Sequence, residues 1–278
     1  MPNENDLPAP SGAHGARGAG LPSVRPPGVR SRPGVLSELG ELIILQMLNW
    51  RWTWRSFVVL GTVLPVLYGL LLGTAVRHSA PGAVGRALIG AVVLAASVDT
   101  MGKTAVHFVN LRLSGGLDHL MRLPVRPALL VFATGTAFCA FALPGILVTI
   151  VLDGALLRVH LAVSPLAVLV LPLAVLAYVG VGAVIGGLAP TPELANPITM
   201  IITNVSLGAG AIVLPASDLP HLVVAVGRLN PTTYVAATLR GVFLPNSSAG
   251  VVGGIAVTAV FAAVAIIAAG RLVSRWAG

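Results

Sequence analysis

The sequence predicts an all-α integral membrane protein with six transmembrane helices, an N-terminal interfacial helix and an outer re-entrant helical hairpin. Three observations predict it. Only 9% of the 278 residues are charged and 56% are hydrophobic, with a mean hydropathy of +0.92; soluble domains carry about 25% charge, so such a surface does not face water. Runs of 18 or more apolar residues recur, each long enough to cross roughly 30 Å of hydrocarbon. Most arginines stand at the ends of those runs, where they set orientation.

Residues 1–34 hold seven prolines and almost nothing large and apolar. Such a segment buries too little surface to offset its ordering entropy, so a disordered cytoplasmic tail is expected. It lacks the apolar core and small-residue cleavage site of a signal peptide. The membrane domain is assigned to 35–278.

Residues 35–55, VLSELGELIILQMLNWRWTWR, have Glu38 and Glu41 near the start and Arg51 and Arg55 near the end, as a helix dipole favours. Ser37 is the expected cap. Trp50, Trp52 and Trp54 suit a headgroup boundary, which makes this an interfacial entry helix.

Spans are expected at 57–76, 87–108, 128–152, 163–188, 197–215 and 249–269. Pro65, Pro144 and Pro172 fall inside them, which membrane helices tolerate when neighbours satisfy the freed carbonyls. Gly69/Gly73, Gly182/Gly186 and Gly250/Gly254 give small-residue spacings suited to close helix packing. With the N-terminus inside, eleven arginines face the cytoplasm and five (77, 86, 158, 228 and 240) face out, so both termini are expected to be cytoplasmic. The outer segment 216–248 is too long and apolar for a simple loop. Its prolines cut it into two short pieces, with Asn230 as a cap and Pro231 at the first helical position, and such pieces dip into the bilayer and return.

Enzymatic machinery is not evident. There is no Gly-rich loop ending in Lys-Ser/Thr, no paired carboxylates in a plausible pocket and no His–carboxylate cluster. The six histidines lack metal-ligand spacing, and Cys139, the only cysteine, reads as a small buried hydrophobe. The net charge of +8 is not gathered into a nucleic-acid-binding stripe.

Inside the second span, Asp99, Lys103 and His107 recur every four residues and share one helical face. Charges at bilayer depth pair or face water. Two readings stand: a proton relay or substrate contact, or an Asp99–Lys103 ion pair near the inner interface with Lys103 snorkelling inward. Ser97, Thr104, Asn204 and Ser206 either line a substrate path or bond their own helix's carbonyls.

The most unusual stretch is GGLDHLMRLPVRPALL, residues 115–130, placed in the cytoplasm between the second and third spans. Gly115 and Gly116 open a short helix. Asp118 and Arg122 form an i,i+4 pair, Leu117, Leu120 and Met121 make an apolar side, and Pro124 stops it. A stiff helix joined directly to two spans transmits a push to both; the alternative is an ordinary solvated connector.

RLSGGLDHLMRLPVRPALL resembles the segment between the second and third spans of ABC type-2 exporter permeases, and LNPTTYVAATLRGVFL, residues 229–244, resembles their outer re-entrant motif. The likeness covers about residues 35–275 and is strongest to small bacterial multidrug or antibiotic self-resistance permeases. It implies a complex of two permeases, identical or related, with two copies of an ABC ATPase subunit, in the cytoplasmic (inner) membrane. It implies no cofactor on this chain, with ATP and Mg on the partner, and lipids but no nucleic acid as further contacts. Gly116, Leu117, Asp118, Leu120, Met121, Arg122 and Pro124 would then sit in a groove on the ATPase. The loop APTPELAN, 189–196, would add a smaller contact through Glu193. Asn230, Pro231, Tyr234, Leu239, Arg240 and Gly241 would form the outer re-entrant gate. Asn110 and Arg112 replace an acidic residue usual before the short helix, so contacts with the entry helix are expected to differ.

The preferred function is therefore the permease of an ATP-driven exporter of an amphipathic drug-like or lipid-like compound. The alternatives are a proton-coupled secondary transporter using Asp99 and His107, and an intramembrane lipid transferase.

Overall fold

The computed structural model describes residues 34–50, 54–78, 82–121, 126–209, 220–221, 225, 227, 230–245 and 250–276. The tail 1–33, the Trp52 position and most of the first half of the expected hairpin lie outside them. Among the described residues the chain is helical, without strands: α1 (Val35–Trp50), α2 (Trp54–Ala75), α3 (Ala83–Leu113), α4 (Gly116–Met121), α5 (Pro127–Leu156), α6 (Ala167–Leu188), α7 (Pro192–Ala209), α8 (Pro231–Phe243) and α9 (Val251–Trp276). Helices are what hydrocarbon dictates, because every backbone donor and acceptor must be satisfied within its own segment.

Four helices among the described residues are long and apolar enough to cross a membrane: α3, α5, α6 and Val251–Arg275 of α9. The chain is thus a multi-pass membrane protein. A shorter apolar stretch, Gly61–Ala75, lies in α2. At 1.5 Å per residue, α3 and α5 are roughly 45 Å long, so both overrun the hydrocarbon layer and carry their connections beyond it. Pro65, Pro144, Pro172 and Pro197 lie within continuous helices.

Three local expectations need correction. Ser37 is not the cap of α1: the helix starts at Val35, and the Ser37 hydroxyl donates back to Gly34 O at 2.8 Å. The fourth span begins at Ala167, because residues 162–164 run extended along the end of α8 through Ala162 N to Phe243 O and Ser164 N to Val242 O, both 2.9 Å. The expected loop 189–196 shortens to 189–191, since Pro192, pre-set in φ, starts α7 with Glu193 in its first turn.

The centre is α6 packed against α3 and α9. Gly182 and Gly186 explain how closely α3 approaches. A Cβ on Gly182 would stand 2.6 Å from Met101 O, and one on Gly186 would stand 2.5 Å from Ala105 O and 2.9 Å from the Phe108 Cβ. Lipid chains are as apolar as the helices, so close van der Waals packing must hold them together, and bare glycines permit it. Gly69 and Gly73 serve α2 in the same way against Asp153 of α5 and Leu157 just beyond its end. Of the third pair only Gly254 packs, against Thr238; Gly250 takes φ +84 in a turn with open space around it. The main core joins α3, α5, α6 and α8, and a second cluster gathers where α1, α4 and α9 meet α3, α5 and α6.

Candidate functional site

Helix α4 hangs between the ends of α3 and α5. Gly115, at φ +70, lets the chain leave α3 and re-enter a helix at the next residue, a backbone conformation that side chains rarely adopt. Gly116, Leu117, Asp118, Leu120 and Met121 all lie on α4. Arg122, Pro124 and the side chains of Asp118 and Met121 lie outside the described residues, so the Asp118–Arg122 pair does too. Leu117 is only 1% exposed, sealed among Phe108 of α3, Leu130 of α5, Ala183 of α6 and Val273 of α9, with Leu120 against the same cluster. The short helix is seated on its parent spans.

Arg112, in the last turn of α3, spans to the end of α6. Its guanidinium donates to Gly187 O at 3.1 Å, to Pro190 O at 3.2 Å and to Ala189 O. The closing carbonyls of a helix lack intrahelical partners and carry its negative dipole end, so a cation there satisfies both. Glu193 stands three residues beyond, exposed in the first turn of α7. Arg112 thus ties the end of α3, which leads into α4, to the start of the 189–191 loop.

The entry helix is fastened by other means. The Glu38 carboxylate accepts from Arg126 N at 2.7 Å, just ahead of Pro127 at the start of α5, and Gln46 Nε2 donates to Thr134 Oγ1 at 2.9 Å. Both side chains are buried. Glu38 thus serves the positive end of α5 as well as its own helix. Sequence reasoning missed these partners, although the isolated polar pattern of α1 was visible.

On α8, Asn230 caps the helix as expected: its Oδ1 accepts from Thr232 N at 3.0 Å, and Pro231 follows at the first helical position. Its Nδ2 also donates to Ser206 O at 2.5 Å, which ties α8 to α7. Leu239 is sealed in the main core, Tyr234 and Gly241 are half-buried, and Arg240 turns toward a cavity at the end of the bundle far from α4.

Of the intramembrane cluster, Asp99 and Lys103 join in an ion pair at 2.5 Å. His107 instead sets its ring edge-on to Phe108 and Phe138, at centroid distances of 5.6 and 6.0 Å. The four path candidates divide. Asn204 shares a cavity of about 200 Å³ with Asp99, and Ser97 and Ser206 share one of about 190 Å³ on the opposite flank of α3 and α7. Ser97 and Asn204 also bond their own helices, to Leu94 O at 2.9 Å and Met200 O at 2.8 Å. Thr104 lines neither, being fully buried against Gly182.

Residues 38–244 match the family model described as ABC-2 type transporter, a stretch that runs from within the entry helix through α8 and stops before α9. No curated protein matches the chain.

Proposed function

The chain belongs to the ABC-2 type transporter family, and from that premise we propose that it is the permease subunit of an ATP-driven exporter. Its cargo is an amphipathic small molecule, such as a drug or antibiotic, or a lipid-like compound. The family provides the membrane component of a transporter and works with an ABC ATPase, so ATP and Mg reside on that partner. Two copies of the ATPase serve two permeases in the cytoplasmic membrane, each permease with six spans, a re-entrant outer hairpin and cytoplasmic termini.

One observation carries the coupling: α4 is seated through Leu117 in a core that belongs to several spans at once. Closure of the ATPase pair pushes on α4, and close-packed side chains pass that displacement to α3, α5, α6 and α9 as a rigid-body change. Arg112 recruits the 189–191 loop and the start of α7 into the same movement. The satisfied Asp99–Lys103 pair supports the static reading of that cluster over a proton relay.

The test is reconstitution of the full chain with its ATPase in nanodiscs. Asp118→Arg with Arg122→Glu should abolish permease-dependent ATP hydrolysis while the thermal midpoint of the permease stays within a few degrees of wild type. Transport that persists after ATP depletion refutes the proposal.

A further inference from the structure

Helix α7 is inverted relative to a solvated helix. Asn196, Thr199, Thr203 and Ser206 follow one another at helical spacing and share one face. Thr199 and Thr203 are buried, whereas Met200, Ile201 and Val205 are more than half exposed. The apolar side of α7 meets lipid and its polar side meets the bundle.

Where that polar side passes α3 lies a cavity of about 190 Å³. Five helices line it with hydroxyls or apolar groups: Ser97 and Met101 of α3, Tyr178 of α6, Thr203 and Ser206 of α7, Thr232 of α8 and Phe261 of α9. Its walls are pinned, because Gly182 holds α6 against Met101 O and Asn230 Nδ2 donates to Ser206 O. Ser97, Tyr178, Thr203 and Thr232 are each less than 5% exposed.

The hydrogen-bonding capacity of these side chains is not used up by the protein. The Tyr178 hydroxyl is enclosed beside the Thr232 side chain, yet it makes no hydrogen bond of proper geometry. The Thr203 hydroxyl reaches the Met101 sulfur at 3.8 Å, a weak acceptor. Ser97 donates to Leu94 O at 2.9 Å, which leaves its oxygen free to accept. Two donors and one acceptor thus stand around one space without strong partners, a deficit that buried polar groups seldom carry.

Charge and size narrow what fits. None of the described lining residues is charged, and Asp99, paired with Lys103, lines the cavity on the opposite flank. An ion would enter without a counter-ion, at a cost that hydroxyls do not return. The volume is below the roughly 300–1,000 Å³ of a site that encloses a whole drug-sized ligand, so the space suits one ring of a larger molecule. Ile202 (36% exposed) and Phe261, also partly exposed, give the cavity an apolar rim, along which the rest of an amphiphile stays in lipid.

From this arrangement we infer that the cavity is a binding site for an uncharged, hydroxyl-bearing ring of the cargo, with Tyr178 and Thr203 donating to it and Ser97 accepting from it. Identification of the ligand as cargo rests on the exporter reading; binding itself needs no ATP.

The test compares three amphiphiles of equal chain length, decyl glucoside, decyltrimethylammonium and decyl sulfate. Each is added to the full chain in phosphatidylcholine nanodiscs, and retention is read by native mass spectrometry. The glucoside should be retained about tenfold or more in preference to either ion. Tyr178→Phe and Thr203→Val should each weaken glucoside retention about threefold to tenfold, as loss of one neutral hydrogen bond predicts, and leave the two ions unaffected. Tyr178→Phe should also melt within a few degrees of wild type, because the hydroxyl it removes makes no strong bond in the protein. Equal retention of the three amphiphiles, or wild-type glucoside retention by both variants, overturns the site and leaves a cavity that holds only water. The same glucoside is then offered to the complex with its ATPase. Selective retention without ATP-driven transport sinks the exporter reading and leaves the site standing, whereas unselective retention with ATP-driven export intact sinks the site alone.

Discussion

Replacing Arg112 by alanine should loosen the end of α3 from the end of α6 and the 189–191 loop. The guanidinium bonds three carbonyls at the end of α6, Gly187, Ala189 and Pro190. A hydrogen bond involving a charged group contributes about 1.5–3 kcal/mol, and a cation at a helix C-terminus adds about 0.3–1 kcal/mol. The side chain is only half-buried, so water replaces part of what is lost, and a net cost of about 2–3 kcal/mol follows. At about 2–4 °C per kcal/mol for a chain of this size, the thermal midpoint should fall by roughly 4–12 °C. Arg112→Lys should recover less than half, because an ammonium is a point charge and cannot fork across three acceptors. In nanodiscs with the ATPase, Arg112→Ala should reduce permease-dependent hydrolysis further than the stability loss requires when measured well below the midpoint. Unchanged hydrolysis together with an unchanged midpoint would refute that tie.

Three other outcomes follow from the packing. Gly182→Leu or Gly186→Leu forces α6 off the backbone of α3 and should cost at least the 1–3 kcal/mol typical of overpacking, seen as loss of monodisperse protein on size exclusion. Leu117→Ala empties a fully sealed site and should cost about 2–5 kcal/mol, whereas Leu117→Met should stay near wild type; an alanine variant of full stability and full coupling would unseat α4 as a transmitter. Lys103→Met alone leaves the Asp99 charge without its partner and should destabilise by about 2–3 kcal/mol. Adding Asp99→Leu should restore most of that loss in a thermal melt and leave ATP-driven activity intact. A double variant that stays folded but inactive would return the pair to the transport pathway.

What the sequence determined by itself is whatever the local chain and its solvent dictate. Low charge and long apolar runs are legible as membrane helices because each span must satisfy its backbone internally. Asn230–Pro231 is legible as a helix start because a cap acts within three residues. Gly115 is legible as a break for the same local reason. Ser37 misled because a hydroxyl in the first turn bonds backwards about as well as it caps. Boundaries shifted at 163–166 and 192–196, where a strap laid on α8 and a proline-started helix outweighed hydropathy.

Only the tertiary structure decided the partners. Gly182 and Gly186 announce a close contact, but α3 as the other side emerges from packing. Arg112 reads as one more inner charge until α6 brings three carbonyls from 75 or more residues away. Arg86, Arg158 and Arg240 count singly toward orientation, and converge only once three helix ends meet. The physical reason is range: propensity, capping and hydropathy act on neighbours in sequence, whereas side-chain contacts across a bundle depend on which helix faces the others bury.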